Sequence, residues 1–165
     1  MLARMLKLRK MNAKNNQKKV TNYSNLYCQP KLNGVKCLVK RVEDDIEIKD
    51  FNGKIIDSYA AIERAVNTFI PKDVSIIGYI YKDSEFHATD VFLENNKDLV
   101  FKDRLEQLLV LGKRAGITGA GTEFKVVQTL KLDVKEDLGP IKEYFSKLGF
   151  DTVELVPNEK LDLDI

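Results

Sequence analysis

The chain has a single histidine, His87. That scarcity all but rules out mechanisms built on a histidine pair, a Ser–His couple or a histidine metal cage. Cysteine is also scarce. Cys28 and Cys37, on adjacent expected strands, are too few for a disulfide scaffold and their spacing fits no zinc motif, so free thiols in a reducing, cytoplasmic compartment are expected. No apolar run approaches the roughly 20 residues of a spanning helix, so no membrane contact is expected. The N-terminal MLARMLKLRK is too basic, and too broken by Lys and Arg, to form a signal peptide's apolar region. Acidic residues are missing altogether from residues 1–20.

That last absence exposes a charge asymmetry. The net charge is only +2, yet residues 1–20 hold seven cations: Arg4, Lys7, Arg9, Lys10, Lys14, Lys18 and Lys19. Removing those seven from 27 Lys and Arg leaves 20 against 25 acids, so the other 145 residues carry −5. A basic arm on a mildly acidic body suits a polyanion partner, because each neutralised phosphate releases counterions. A solvated tail with no partner is the plainer reading. The expected division is a basic arm over 1–20 and one domain over 21–165. With 44 % apolar and 32 % charged residues the chain has a globular composition and enough length for its own core.

Periodicity sets the expected elements. Residues 26–31, 35–41 and 45–49 alternate like short strands. Asn33-Gly34 between the first two is a hairpin signal, since both residues tolerate positive φ. Asn52-Gly53 marks a second turn, leading into 54–56. Asp57-Ser58 then reads as the cap of a helical pattern of Ala61, Ile62, Ala65, Val66 and Phe69, with Pro71 beyond it. VSIIGYIYK (74–82) and FHATDVFL (86–93) read as strands, the first apolar enough to be central. FKDRLEQLLVLGKRAG is a helix with Phe101, Leu105, Leu108 and Leu109 inward, ended by basic residues and Gly116. EFKVVQTLKL (123–132) reads as one strand. A helix from Pro140 to Leu148 has Ile141, Tyr144, Phe145 and Leu148 inward, and 151–156 form the last strand. Hairpins with segregated helices imply an α+β fold with antiparallel sheets.

Some residues invite two readings. Asp90 and Arg104 could tie strand to helix by an ion pair, with Phe92 and Phe101 in the core. Asp151 and Glu154 could hold a metal or merely line a solvated edge. His87 reads as a packed or rim residue. GITGAGTEF precedes a strand instead of opening a helix, so it reads as a connector and not a phosphate loop.

The order KLNGVK, GYIYKD, TDVFL, FKDRLEQL and LGFDTVELV resembles the covalent nucleotidyltransferase superfamily, and within it the ATP-dependent DNA ligases. The resemblance runs from about Gln29 to Val156. It implies two packed antiparallel sheets with peripheral helices and a lysine, here Lys31, that attacks the α-phosphate of ATP. Gln29, Asn33 and Lys36 would line the nucleotide and Asp151 would help hold Mg²⁺. The departures from the family pattern are numerous. Asn33 stands for an aspartate, Lys36 and Phe51 for arginines, Tyr79 for a glutamate, Thr89 for a base-stacking aromatic, Asp151 for a glutamate and Thr152 for a glycine. The ending NEKLDLDI leaves no room for a terminal lysine pair or an OB-fold clamp. A catalytically degenerate nucleic-acid-binding or assembly module is therefore expected, its basic arm reaching DNA or an acidic protein. The alternatives are a minimal or split ligase that forms a Lys31–AMP intermediate, and a purely structural scaffold. The compact size suits a phage or viral setting.

Overall fold

Two sheets and three helices are laid out in this computed structural model, which describes residues 22–57, 59–82 and 84–161. The basic arm's cations, Arg4 to Lys19, lie outside the described residues. The strands are β1 (Leu26–Pro30), β2 (Val35–Val42), β3 (Asp45–Asp50), β4 (Val74–Tyr81), β5 (Glu85–Leu93), β6 (Phe124–Val126), β7 (Leu130–Lys131) and β8 (Val153–Pro157). The helices are α1 (Ala60–Asn67), α2 (Phe101–Ile117) and α3 (Leu138–Lys147). One sheet runs β3-β2-β4-β5-β6 and the other β7-β1-β8.

The order of layers follows from which faces are apolar. Cys37, Val39, Ile76, Ile80, Phe86 and Val91 point to one face of the larger sheet, where Ile62 and Val66 of α1 and Leu108 and Leu111 of α2 cover them. In β1 all five residues are buried, because alternate side chains meet different layers. Leu26 and Cys28 pack with Phe145 of α3. Tyr27 meets the ring of Phe101 edge-on at 5.1 Å, and the Gln29 amide reaches Thr89 of β5. The three-stranded sheet is thus held between α3 and the larger sheet. Strand β4 is buried on both faces over seven residues and is central, as its composition implies.

Several expectations need correction. β1 and β2 do not form a hairpin: they belong to different sheets, and residues 31–34 carry the chain from one sheet to the other. Neither Asn33 nor Gly34 has positive φ. Gly34 is needed for proximity instead, because a Cβ there would collide with the carbonyl oxygen of Ile80. The second Asn-Gly is the true turn, with Gly53 at φ 85° and Gly53 N–H donating to Asp50 O at 3.2 Å. The expected strand over 123–132 breaks into β6 and β7, one in each sheet, and β6 runs parallel to β5. Helix α1 starts at Ala60 with Tyr59, not Asp57-Ser58, at its cap and with Ala61 exposed, and α3 starts two residues before Pro140. Proline is tolerated there because first-turn N–H groups have no helical acceptor. Leu109, Tyr144 and Leu148 are exposed, whereas Leu111 and Ala115 join the core.

Cys28 and Cys37 are fully buried free thiols, in different sheets and not on adjacent strands. Burial pushes Cys28 up to about 11 and Cys37 to about 12. A thiol reagent at pH 8, which needs the thiolate, is expected to modify neither in the native protein and both after denaturation. Reaction of either native thiol within minutes contradicts this packing.

Candidate functional site

Lys31 lies on the segment that crosses from one sheet to the other. Its side chain is exposed, and its backbone N–H donates to Thr152 O at 2.9 Å. That bond extends the β1–β8 ladder by one residue, and Asp151, next to Thr152 in the chain, is exposed. Leu32, the next residue, is buried with Tyr79 and Val127, and Phe150 packs against them. Asn33 is exposed.

Lys36 is the second residue of β2. Its ammonium lies 4.9 Å from the Phe51 ring centroid and 5.7 Å from that of Tyr79, cation–π distances. Both rings are more than nine-tenths buried. Gln29 is buried too. Its amide donates to Thr89 O at 2.9 Å and Thr129 Oγ1 at 3.1 Å, linking the sheets. A bulge in β5, where the register to β4 shifts at Ile77/Gly78, turns Thr89 toward Gln29.

Of the positions singled out in the sequence, Lys36 meets Phe51 and Tyr79, and Gln29 meets Thr89, whereas Lys31, Asn33 and Asp151 are exposed. Phe51 and Tyr79 fill space where the resemblance implies an arginine and a glutamate. Thr89, 3 % exposed, offers no ring to a base. No trio of His, Cys, Asp or Glu among the described residues is placed to hold a metal ion. These residues fit ATP with Mg²⁺ poorly. A solvent-open cavity of about 240 Å³ lies at the other end of β2 and β4, where Lys40 and Ser75 pair.

Two features hold the cleft in shape. Arg104 and Asp90, 4 % and 1 % exposed, form a two-pronged pair at 2.9 and 3.2 Å. The Arg104 Nη1 also donates to Leu99 O and Glu159 O. Asn158 Oδ1 accepts from Lys102 N–H at 2.8 Å, and Leu161 packs on Leu38, Phe51, Ile77 and Phe92. The ion pair thus ties β5, α2 and residues 158–161 together, with Phe92 and Phe101 buried beside it.

The other feature was not read from the sequence. Lys36, Tyr79, His87 and Lys125 are register partners across four strands. Glu85 holds Lys125 at 2.7 Å and lies 3.8 Å from His87, while Tyr81 meets the imidazole edge-on at 5.4 Å. The alternating Glu-x-His at the start of β5 was the available signal. The hydrogen bond from Lys125 lowers the Glu85 carboxyl. Burial lowers His87 below 6.5, outweighing the attraction of Glu85. Below pH 6.5 the unfolded chain takes up a proton that folded His87 resists, so stability falls as pH drops from 6.5 toward the folded value. His87→Gln is expected to flatten this slope in urea titrations between pH 7 and 5. An unchanged slope means that His87 is not its source.

No family model and no curated protein matches the chain. Solved structures do. Pmar-Lig_PreS3 superposes with a TM-score of 0.70 at 13 % identity, over 90 % of this chain and 42 % of that one. A Lig E DNA ligase, described as binding DNA with a minimal scaffold, gives 0.64 at 17 %, over 88 % and 60 %. Mycobacterial DNA ligase D, complexed with ATP and MES, gives 0.65 at 16 %, over 85 % and 50 %. The fold is that of a ligase-like nucleotidyltransferase domain. The chain spans between 42 % and 60 % of these proteins' lengths. Among the described residues no helix is long and apolar enough to cross a membrane.

Proposed function

We propose that the chain is a ligase-fold module that does not complete ligation by itself and serves in nucleic-acid binding or assembly. The observation that carries this reading is the aromatic packing around Lys36: Phe51 and Tyr79 are buried, and the ammonium is lodged over both rings. Phosphoryl transfer depends on positioned charge. Losing one such group typically costs about 3–4 kcal/mol of barrier, and here the arginine, glutamate and base platform are replaced together. The seven cations of residues 1–20 support contact with a phosphate backbone.

A second reading is supported by Lys31 itself, which stays exposed. In a split ligase, Lys31 would accept AMP while a second chain supplied the missing groups. One experiment separates the two readings. The protein is incubated with ATP, and separately GTP, plus Mg²⁺ or Mn²⁺, and its intact mass measured. The leading reading expects no nucleotide adduct. It also expects binding to a DNA duplex that weakens steeply with salt and is lost on deleting residues 1–20. An adduct abolished by Lys31→Ala overturns it in favour of the split enzyme, whereas no adduct and no DNA binding leave only a scaffold.

A further inference from the structure

Among the described residues, the three-stranded sheet ends at β8 in an unpaired edge. Strand β8 bonds to β1 through its even-numbered residues. Lys31 N–H donates to Thr152 O and Asn158 N–H to Asn25 O, and the alternation between them puts Glu154 and Val156 on the same side. Val153 and Leu155 therefore direct their N–H and C=O groups away from β1. Among the described residues no strand pairs with them. Natural edges are blunted by lysines, bulges, prolines, inward-pointing charges or a covering segment. Of these β8 carries Glu154 and, at its end, Pro157, but it has no lysine and its register with β1 is unbroken.

The side chains define what would fit. Val153 and Leu155 belong to the apolar cluster beneath α3. Glu154 lies on the opposite face, opposite Gln29, half-buried and without an ion pair among the described residues. We propose that the β8 edge docks an extended segment of a different polypeptide as a fourth strand, carrying lysine or arginine opposite Glu154. A second copy of this chain fits poorly. The two-fold register that uses all four outward groups sets Glu154 against its own copy, and like charges directly opposed are destabilising. The docked strand lies two strand spacings, about 10 Å, from β1 and Lys31, so it brings foreign side chains to a cleft short of its own charges. This inference rests on the reading of the chain as an assembly module.

The test uses the full chain and synthetic octapeptides with valine or threonine at alternate positions and lysine, alanine or glutamate at the centre. The lysine peptide is expected to bind and slow amide exchange at Val153 and Leu155. The glutamate peptide is expected to bind at least tenfold more weakly, and Glu154→Lys to reverse the order. Val153→Pro, which removes one outward N–H, should weaken binding at least tenfold. If that variant loses its native circular dichroism, the Glu154→Lys reversal decides. Equal binding of all three peptides, binding without protection of Val153 and Leu155, no binding at all, or a dimer of the chain paired through β8 each overturns the proposal. DNA binding and Lys31 adduct formation are scored separately. Lost peptide docking with DNA binding intact refutes the edge and leaves the module reading standing.

Discussion

Arg104→Ala is expected to lower folding stability by about 3–5 kcal/mol, because it leaves the Asp90 carboxylate as an uncompensated buried charge. In a chain of this size that lowers Tm by roughly 10 °C. Asp90 is 1 % exposed, and its Oδ1 also accepts from Val91 N–H at 2.8 Å. The carboxylate cannot turn to solvent without breaking the local backbone. The substitution also releases Leu99 O and Glu159 O, so residues 158–161 should exchange their amides faster. Arg104→Lys keeps the charge but not the planar fork, and should recover only part of the loss. Arg114→Ala, at an exposed site on the same helix, should stay within about 0.5 kcal/mol. Urea midpoints measure all three, and a loss under about 1 kcal/mol for Arg104→Ala would show that the pair is not holding the layers together.

Gly34→Ala and Gly78→Ala form the second large expectation. A Cβ at Gly34 meets the Ile80 carbonyl oxygen, and one at Gly78 meets the His87 carbonyl oxygen and lies 2.9 Å from Ala88 Cα. These neighbours are backbone and cannot rotate away. Each substitution should cost roughly 3 kcal/mol or more, at the upper end of overpacking penalties. Gly34→Ala should in addition shift the Lys31 and Thr152 amide resonances, since the crossing segment must move. Gly116→Ala is the control. Nothing lies within 4 Å of its Cβ position in α2, so alanine should stabilise by up to about 1 kcal/mol through helix propensity. Equal effects at Gly34 and Gly116 would contradict the close approach of residues 31–34 to β4.

Both sets of variants bear on the cleft. Arg104 anchors the segment whose Leu161 packs against Phe51, and Gly34 sets how near Lys31 comes to the larger sheet. A lysine at this mouth can be reached by solvent or by a partner. The groups behind it, Lys36 on two rings and Gln29 on two oxygens, are committed to the fold.

Much of this was legible in the residues. The 3.6-residue pattern located Ile62, Ala65 and Val66 of α1 and Leu108 of α2, and the continuous apolar run marked β4 as central. The spacing of Asp90 and Arg104 suggested the ion pair that the structure contains. These features are local, or join neighbouring elements, and periodicity reports which face of an element is apolar. Periodicity does not report which neighbour covers that face. An Asn-Gly step between two strand-like runs satisfies a hairpin, yet at Gly34 it satisfies a crossing between sheets. The run 123–132 has strand character throughout, and only the competition of two sheets for its backbone hydrogen bonds divides it into β6 and β7. The same limit governs the site. Composition and order led to Lys31 and its altered neighbours, because side-chain chemistry is written residue by residue. Whether Phe51 and Tyr79 stand open or fill the cleft around Lys36 depended on strands far apart in the chain meeting in one register, and only the tertiary structure decided that.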